Sequence, residues 1–196
     1  MAKARGDPSA MQVEEFEVTI EGTSPLVLLP LGFFKDCPED EDEQLERALD
    51  LYRREDGEPG FPAGGLKDAV MESCKKLDID TRRRVAAGFH IVGEDATNRI
   101  LLHGKPEGVE FDFNFKKPPR TVTRTLPQLF DWSCVVPVHL MTESLDAKEF
   151  KKLLGVAGEK VGIGHRRPEM GTFKVTNIVS KHNGNNNNRS KHKGKR

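Results

Sequence analysis

The segment Gly155–Val175 reads GVAGEKVGIGHRRPEMGTFKV and joins a predicted helix to a predicted strand. Glycine recurs in it at positions 155, 158, 162, 164 and 171. Because glycine has no side chain in the way, backbone N–H groups beside it can approach an anion closely. Arg166 and Arg167 add planar, permanently charged guanidinium groups that suit phosphate, and Lys160 adds a compact positive charge. The segment predicts a phosphate cradle; the alternative is a long structural turn whose arginines pair with the acidic insertion described below.

The sequence on either side of this loop has regular patterns. Ser144 is a residue type that caps helices, and it precedes a predicted helix over residues 145–156. The apolar residues expected to face the core from this helix are Phe150, Leu153 and Leu154. After the loop, alternation that begins at Phe173 predicts a last strand ending near Val179.

Upstream, strict alternation from Phe16 to Glu21 predicts a half-buried strand. Residues 24–34 predict a packed loop, and 41–54 a short acidic helix. An apolar stripe on residues 64–77 gives the clearest helix, followed by a basic connector over 78–85. Further strands are predicted at 89–92, 100–103, 109–115 and 130–141. Residues 116–127 hold three prolines and four basic residues and predict an exposed arm.

This order of elements predicts an α+β fold with a ferredoxin-like (RRM-like) βαββαβ core. An acidic insertion follows the first strand, over about 24–61, and a thumb-like insertion occupies about 78–128. We expect a single domain over residues 11–180, a disordered tail at 1–10 and a disordered, basic, asparagine-rich tail at 181–196. The sheets of RNA-recognition folds often hold single strands.

The net charge of zero conceals a segregation of charge. Residues 36–58 carry a net charge of −8, so the rest of the chain carries an excess of +8, including six Lys or Arg in the tail from Lys181. A basic binding face is therefore compatible with a neutral chain. Three dispersed cysteines argue against a disulfide framework or a cysteine-rich zinc site. No signal peptide and no apolar run long enough to span a bilayer is present, so we expect a cytoplasmic protein without membrane contact.

Neither common nucleotide-binding motif fits the glycine loop. A Walker loop requires GxxxxGK[ST], but Gly158 is followed by Glu159, Lys160 and Val161. A dinucleotide fingerprint requires GxGxxG after a strand, and the residues after Gly164 do not supply it. No cofactor and no metal site is expected, because no Cys/His cluster has ligand spacing.

The glycine loop resembles the signature of the CRISPR-associated RAMP superfamily, through Gly162-Ile163-Gly164 and Gly171–Val175. A second stretch, Phe61–Ala69 (FPAGGLKDA), is similar to the turn and first helix of RAMP backbone subunits. The resemblance implies a ferredoxin-like core, repeated subunits that clamp guide-RNA phosphates, and a thumb that separates bases, for which the arm over residues 116–127 is the candidate. The chain also resembles small proteins of bacteriophage genomes, which implies a phage-borne relative.

Three functional hypotheses follow. The leading one is a protein that clamps the backbone of single-stranded RNA or DNA and associates with itself or with other RAMP-type subunits. The predicted contacts are Lys160, Gly162, Gly164, His165, Arg166, Arg167 and Gly171 in the loop, and Lys116, Lys117, Arg120 and Arg124 in the arm.

The second hypothesis is a metal-independent endoribonuclease, in which His165 is preferred over His90, His103 and His139 as acid or base. The third is a phage structural or inhibitor protein that docks through the acidic segment and binds no nucleic acid. We assign Trp132 and the aromatic residues of 109–115 to the core, which leaves backbone contacts as the basis of binding. The sequence favours a binding protein over a catalyst.

Overall fold

The computed structural model describes residues 13–76 and 82–181. The predicted tail at 1–10, and the basic tail beyond residue 181, lie outside the described residues. The helices are α1 (Glu41–Asp50), α2 (Ala63–Lys76), α3 (Arg82–Gly88) and α4 (Ala147–Val156), and α4 continues into a π-helical turn, Ala157–Val161. The strands are β1 (Val13–Gly22), β2 (Leu26–Val27), β3 (Gly60–Pro62), β4 (Phe89–Ile91), β5 (Arg99–Leu101), β6 (Pro106–Lys116), β7 (Pro119–Leu129), β8 (Ser133–Met141) and β9 (Phe173–Lys181). No helix of the described residues is long and apolar enough to cross a membrane.

The main sheet has four antiparallel strands in the order β4-β8-β1-β9. Val18 of β1 lies opposite Val136 of β8 and Ile178 of β9. Val18 and Ile20 have no exposed surface, which their alternation with polar residues predicts. Helices α2 and α4 pack against each other and share one hydrophobic core with these strands. The predicted mixture of helices and antiparallel sheet is confirmed.

A second antiparallel sheet has the order β2-β7-β6. Strands β6 and β7 form a hairpin that is paired from Pro106↔Leu129 to Lys116↔Pro119. The expected arm over residues 116–127 is mostly strand β7: residues 116–121 and Thr123 are exposed, as expected of the arm, whereas Thr125–Leu129 are buried. Strand β2 pairs only with the last two residues of β7. The second edge of β7 is therefore largely free, and a strand with a free edge tolerates proline.

Helix α1 is attached to this hairpin through the buried side chain of Gln44. Its amide nitrogen donates to the carbonyl oxygens of Pro38 and Glu39 at 2.9 and 3.1 Å. Its amide oxygen accepts a hydrogen bond of 2.8 Å from the backbone N–H of Thr125. The side chain thus satisfies a backbone donor at the free edge of β7, and it fixes the acidic helix beside the hairpin. The acidic helix itself was predicted and is confirmed at Glu41–Asp50.

Two local predictions are corrected by the structure. The basic connector over 78–85 is helical from Arg82 onward, as α3. Helix α4 is capped by Asp146, which accepts a hydrogen bond of 2.8 Å from the N–H of Glu149, and not by Ser144. An aspartate three residues before a glutamate is a stronger helix start than the serine two residues earlier.

Trp132 joins the two sheets. It lies just before β8 and is buried, with its indole N–H donating to the carbonyl oxygen of Ser24 at 2.9 Å. The hydroxyl of Ser24 accepts a hydrogen bond of 3.0 Å from the N–H of Thr172, at the end of the glycine loop. The Trp132 ring also packs at 6.3 Å from the ring of Phe173. One side chain therefore supports the crossing from β1 to β2 and the entry into β9.

Candidate nucleic-acid interface

The glycine loop is held by its own backbone. The N–H of Gly162 donates to the carbonyl of Ala157 at 2.8 Å, and that of Gly171 donates to Pro25 at 2.8 Å. The N–H of Ile163 donates to Gly171, and that of His165 donates to Val27, each at 2.9 Å. The loop is therefore tied to its own start and to the segment that contains β2.

The glycines of the loop serve close packing and unusual backbone angles. Gly162, Gly164 and Gly171 have φ values of 72°, 79° and 72°, a region that favours glycine. A Cβ at Gly164 would lie 2.5 Å from a methyl carbon of Leu26, and one at Gly171 would lie 1.8 Å from the carbonyl oxygen of Ile163. The expectation that Gly162 and Gly171 offer their N–H groups to an anion is thus corrected, because both groups donate within the fold.

The side chains of the loop extend to the β6–β7 hairpin. The guanidinium carbon of Arg166 lies 5.1 Å from the centre of the Phe111 ring, and its Nη2 donates to the carbonyl oxygen of Asp112 at 3.2 Å. The imidazole of His165 stacks on Phe113, with ring centres 5.6 Å apart and planes 29° apart. These contacts place two predicted loop residues on the phenylalanine side of the hairpin.

The same side of the hairpin carries the predicted basic residues of β7. Arg120 and Arg124 lie directly opposite Phe115 and Phe111 in the strand register, so their side chains share that side of the hairpin. The guanidinium carbon of Arg120 is 5.4 Å from the centre of the Phe115 ring. The loop and the hairpin, which are separate in sequence, thus form one surface, here called the aromatic-basic face. It comprises Phe34, Phe113, Phe115, Arg120, Arg124, His165 and Arg166.

Phe34 belongs to this face but was not predicted from the sequence. Its ring lies 4.8 Å from that of Phe113 and 5.4 Å from that of Phe115, edge-on in both cases, and the residue is 38% exposed. Of the three alternating phenylalanines, only Phe111 is buried. The assignment of all three to the core is thus correct for Phe111, whereas Phe113 and Phe115 are only half-buried at the surface.

The remaining predicted contacts lie outside this cluster. Lys116 and Lys117 are exposed at the hairpin turn, and Lys116 alternates to the side opposite Phe115. Lys160 is exposed on the π-helical turn. Arg167 turns away from Arg166 toward α2, where its Nη2 lies 3.5 Å from a carboxylate oxygen of Glu72. The structure therefore brings together His165, Arg166, Arg120 and Arg124, and it separates Arg167 from them.

Neither loop arginine pairs with the acidic segment. Two arginines of that segment pair with its carboxylates: Arg53 with Asp50 at 2.6 Å and Arg54 with Asp56 at 3.1 Å, and Arg54 also pairs with Glu94 outside the segment. The alternative in which Arg166 and Arg167 neutralise the acidic insertion is therefore contradicted by the contacts of the described residues.

The open side of the four-stranded sheet carries charges of both signs. Glu15, Glu17 and Glu21 alternate with the buried residues of β1 and so point away from α2 and α4. Lys181 lies 2.5 Å from Glu17 and Lys174 lies 3.0 Å from Glu21. Two of the three carboxylates are thus paired with lysines. The aromatic-basic face lies on the hairpin and the loop instead, so the candidate site differs from the sheet-surface binding typical of RNA-recognition folds.

A cleft of about 260 Å³ adjoins the aromatic-basic face. It lies between the start of α2 and the glycine loop, so the two stretches that carry the RAMP resemblance line it together. Phe61 and Pro62 come from the stretch Phe61–Ala69, and Gly164 comes from the glycine loop, where the adjacent His165 also lines the cleft. His165 belongs both to the cleft and to the aromatic-basic face.

Burial lowers the pKa of His165 below its ordinary value, and the adjacent charge of Arg166 lowers it further. Within the described residues its ring makes no hydrogen bond. Among the same residues no group of three or more histidine, cysteine or carboxylate side chains is placed to hold a metal ion. The lowered pKa favours the neutral imidazole at neutral pH, and among the described residues the ring has no hydrogen-bonding partner of the kind that general acid–base catalysis uses.

We expect the His165 imidazole to titrate below 6.5 in an NMR pH titration, because the folded environment favours its neutral form. The unfolded chain keeps the ordinary pKa, so the free energy of unfolding should fall as the pH drops below about 6.5 and level off below the folded pKa. In Arg166→Gly the pKa of His165 should rise only part of the way back to its ordinary value, because burial is the larger cause of the lowered pKa. A measured value at or above 6.5 would contradict this environment.

No protein-family model and no curated protein matches this chain. One similar solved structure is a chain in the cryo-EM structure of the Type III-B Cmr-beta bound to cognate target RNA, with 14% identity and a TM-score of 0.49. That similarity covers 86% of this chain and 60% of the other. A second is the crystal structure of Cmr6 from Pyrococcus furiosus, with 11% identity, a TM-score of 0.44 and coverage of 85% and 100%. This chain thus spans less than two thirds of the first structure's chain, and TM-scores below 0.5 assign neither fold nor function.

Proposed function

We propose that this chain binds single-stranded nucleic acid along the aromatic-basic face. The observation that carries the proposal is the meeting of the loop residues His165 and Arg166 with Arg120 and the phenylalanines of the hairpin. Guanidinium groups bind phosphate through paired N–H donors, and exposed aromatic rings stack on unpaired bases regardless of their identity. The resemblance to RAMP proteins favours RNA over DNA.

The backbone conformation at Arg166 supports this role. Its φ is 59°, a left-handed value that costs a non-glycine residue about 1–2 kcal/mol. Glycine would fit this position better, yet the chain places a long charged side chain here. The loop conformation places this side chain over the hairpin. An unfavourable backbone angle that the surrounding structure maintains is a reason to look for a function at that residue.

The phosphate contacts in this proposal come from side chains. Arg166, Arg120 and Arg124 form the centre, Lys116 and Lys117 extend the charge to the hairpin turn, and Arg167 and Lys160 lie to the side. Gly162, Gly164 and Gly171 position the loop, and at neutral pH His165 contributes a ring rather than a charge. This arrangement predicts that the aromatic-basic face binds the sugar-phosphate backbone of the nucleic acid with little preference for base sequence.

We further propose that the four-stranded sheet is a ferredoxin-like core of RAMP type. Its order β9-β1-β8-β4, with α2 after β1 and α4 after β8, supports this assignment. In this assignment the segment that holds β2, α1 and β3 is the first insertion, and the β6–β7 hairpin is the thumb. Repeated subunits along one strand are the corresponding assembly, and the opposed acidic and basic surfaces of the chain suit contacts between neighbouring copies.

The test is fluorescence anisotropy of a labelled single-stranded RNA and of the DNA of the same sequence, at several salt concentrations. Arg166→Gly should weaken binding about tenfold and reduce the slope of log affinity against log salt by about one. The melting temperature of this variant should stay the same or rise, because glycine adopts the left-handed backbone angle at position 166 without the energetic cost that arginine has there.

The matched control is Arg83→Ala, which removes an exposed arginine of α3 beside β4 and should leave affinity nearly unchanged. Equal losses in both variants would mean that the attraction is diffuse and that the aromatic-basic face is not the site. No binding by the unaltered protein at low salt would overturn the proposed function, and the exposed acidic helix α1 would then mark the chain as an interaction protein.

A further inference from the structure

We propose that the cleft beside the aromatic-basic face accepts one unpaired base and that Asp68 selects guanine there. This inference rests on the proposed function and adds base recognition to it. A volume of about 260 Å³ is below that of sites for drug-sized ligands. It suits one planar ring system rather than a dinucleotide.

The walls of the cleft match a flat apolar ligand. Tyr52 and Phe61 both line it, with ring centres 6.5 Å apart and planes within 15° of parallel. Leu29 adds an aliphatic side. The Tyr52 hydroxyl donates to the carbonyl oxygen of Leu29 at 3.3 Å, and burial raises its pKa to about 12, so the ring is held in place and remains uncharged.

The position of the cleft connects it to the bound strand. His165 lines the cleft and also stacks on Phe113 of the aromatic-basic face. A nucleotide whose phosphate lies at Arg166 can therefore turn its base past His165 into the cleft. Proteins that read single strands bind splayed bases in this way, through stacking and through hydrogen bonds to the base edges.

The polar groups of the cleft favour a base rich in donors. Asp68 is exposed there, and its carboxylate makes no hydrogen bond or ion pair within residues 13–76 and 82–181. A carboxylate repels phosphate but accepts hydrogen bonds from base N–H groups. Guanine presents two adjacent donors, N1–H and N2–H, whereas adenine and cytosine present only an amino group. Uracil presents one N–H between two carbonyl oxygens, and these oxygens repel a carboxylate.

Arg167 also lines the cleft and complements this pattern. Its contact with Glu72 is long, at 3.5 Å, and both side chains are more than one third exposed, so the pair is weak. The guanidinium can turn to the acceptor atoms O6 and N7 of guanine, which is a common arginine contact. Asp68 and Arg167 together thus provide the acceptors and donors that guanine requires.

The experiment compares four labelled oligouridines of equal length that carry a central guanine, adenine, cytosine or uracil. The unaltered protein should bind the guanine oligonucleotide about tenfold more tightly than the all-uracil one. Asp68→Asn should abolish this preference while affinity for the all-uracil oligonucleotide stays the same or rises, since a negative charge is removed. The melting temperature should not change, because Asp68 is exposed and unpaired.

Asp131→Asn is the control, since Asp131 is an exposed aspartate in the turn before β8. It should keep the guanine preference. Equal affinity of the unaltered protein for all four oligonucleotides would overturn base recognition and leave backbone binding intact. A guanine preference that survives Asp68→Asn would remove Asp68 from the site, and failure to bind any oligonucleotide at low salt would instead reject the proposed function.

Discussion

Gly171→Ala is expected to lower the free energy of unfolding by on the order of 3 kcal/mol. The new methyl group would lie 1.8 Å from the carbonyl oxygen of Ile163, at a φ of 72° that alanine disfavours. The clash is with backbone, and that backbone is fixed because Ile163 donates to Gly171 and Gly171 donates to Pro25. Neither partner can move without breaking a hydrogen bond. Urea unfolding followed by circular dichroism measures the change.

Gly155→Ala is the matched control for this substitution. Gly155 lies in α4, and a Cβ there would meet no atom within 4 Å. Alanine is the better helix former, so this variant should be more stable than the unaltered protein, by about 0.5 kcal/mol. The same chemical change should thus have opposite effects at the two positions. Similar effects of the two substitutions would show that the loop is not packed as described.

Trp132→Ala is expected to destabilise the protein by about 3–5 kcal/mol, the usual cost of removing a buried tryptophan. The side chain is 3% exposed, packs on Phe173 and donates to Ser24. Because it supports the junction of the two sheets, its loss should weaken both, and unfolding should remain a single transition. Thermal unfolding followed by circular dichroism measures the change in stability.

Two companion substitutions separate packing from hydrogen bonding at this junction. Trp132→Phe keeps most of the ring but leaves the Ser24 carbonyl without its donor, and it should cost about 1–2 kcal/mol. Phe130→Ala alters an aromatic residue two positions away that is 48% exposed. It should change stability by less than about 0.5 kcal/mol. A large loss in Phe130→Ala, or none in Trp132→Ala, would contradict the assigned role.

The sequence predicts the elements whose pattern is local. The alternation around Val18 and the apolar stripe of α2 follow directly from the periods of strands and helices, and both elements are found where expected. Strand β7 was missed because Pro119 and Pro127 are typical of loops, while its pairing depends on a partner strand that no local pattern reveals. Helix α3 begins with three arginines, which have no apolar period to indicate a helix.

Most residues of the proposed site can be identified from the sequence, but the way they come together cannot. Arg166 and Arg120 were identified from charge and from the glycine loop, but their meeting depends on the register of the β6–β7 hairpin. Phe34 lies in a segment without periodicity, so nothing in the sequence marks it. Gly171 shows a further limit of local patterns: glycine is required both where an anion approaches and where backbone approaches backbone, and only the hydrogen bonds distinguish the two.

The closed hydrogen bonding of the glycine loop separates what builds the loop from what the loop presents. Positions 162, 164, 166 and 171 have left-handed backbone angles, whereas the side chains at 165, 166 and 167 extend from a frame that is held by backbone hydrogen bonds. Substitutions at those three positions, in evolution or in design, can therefore adapt the loop to a different ligand while the frame is kept. Related proteins would then share the spacing of these glycines and differ at the residues that contact the ligand.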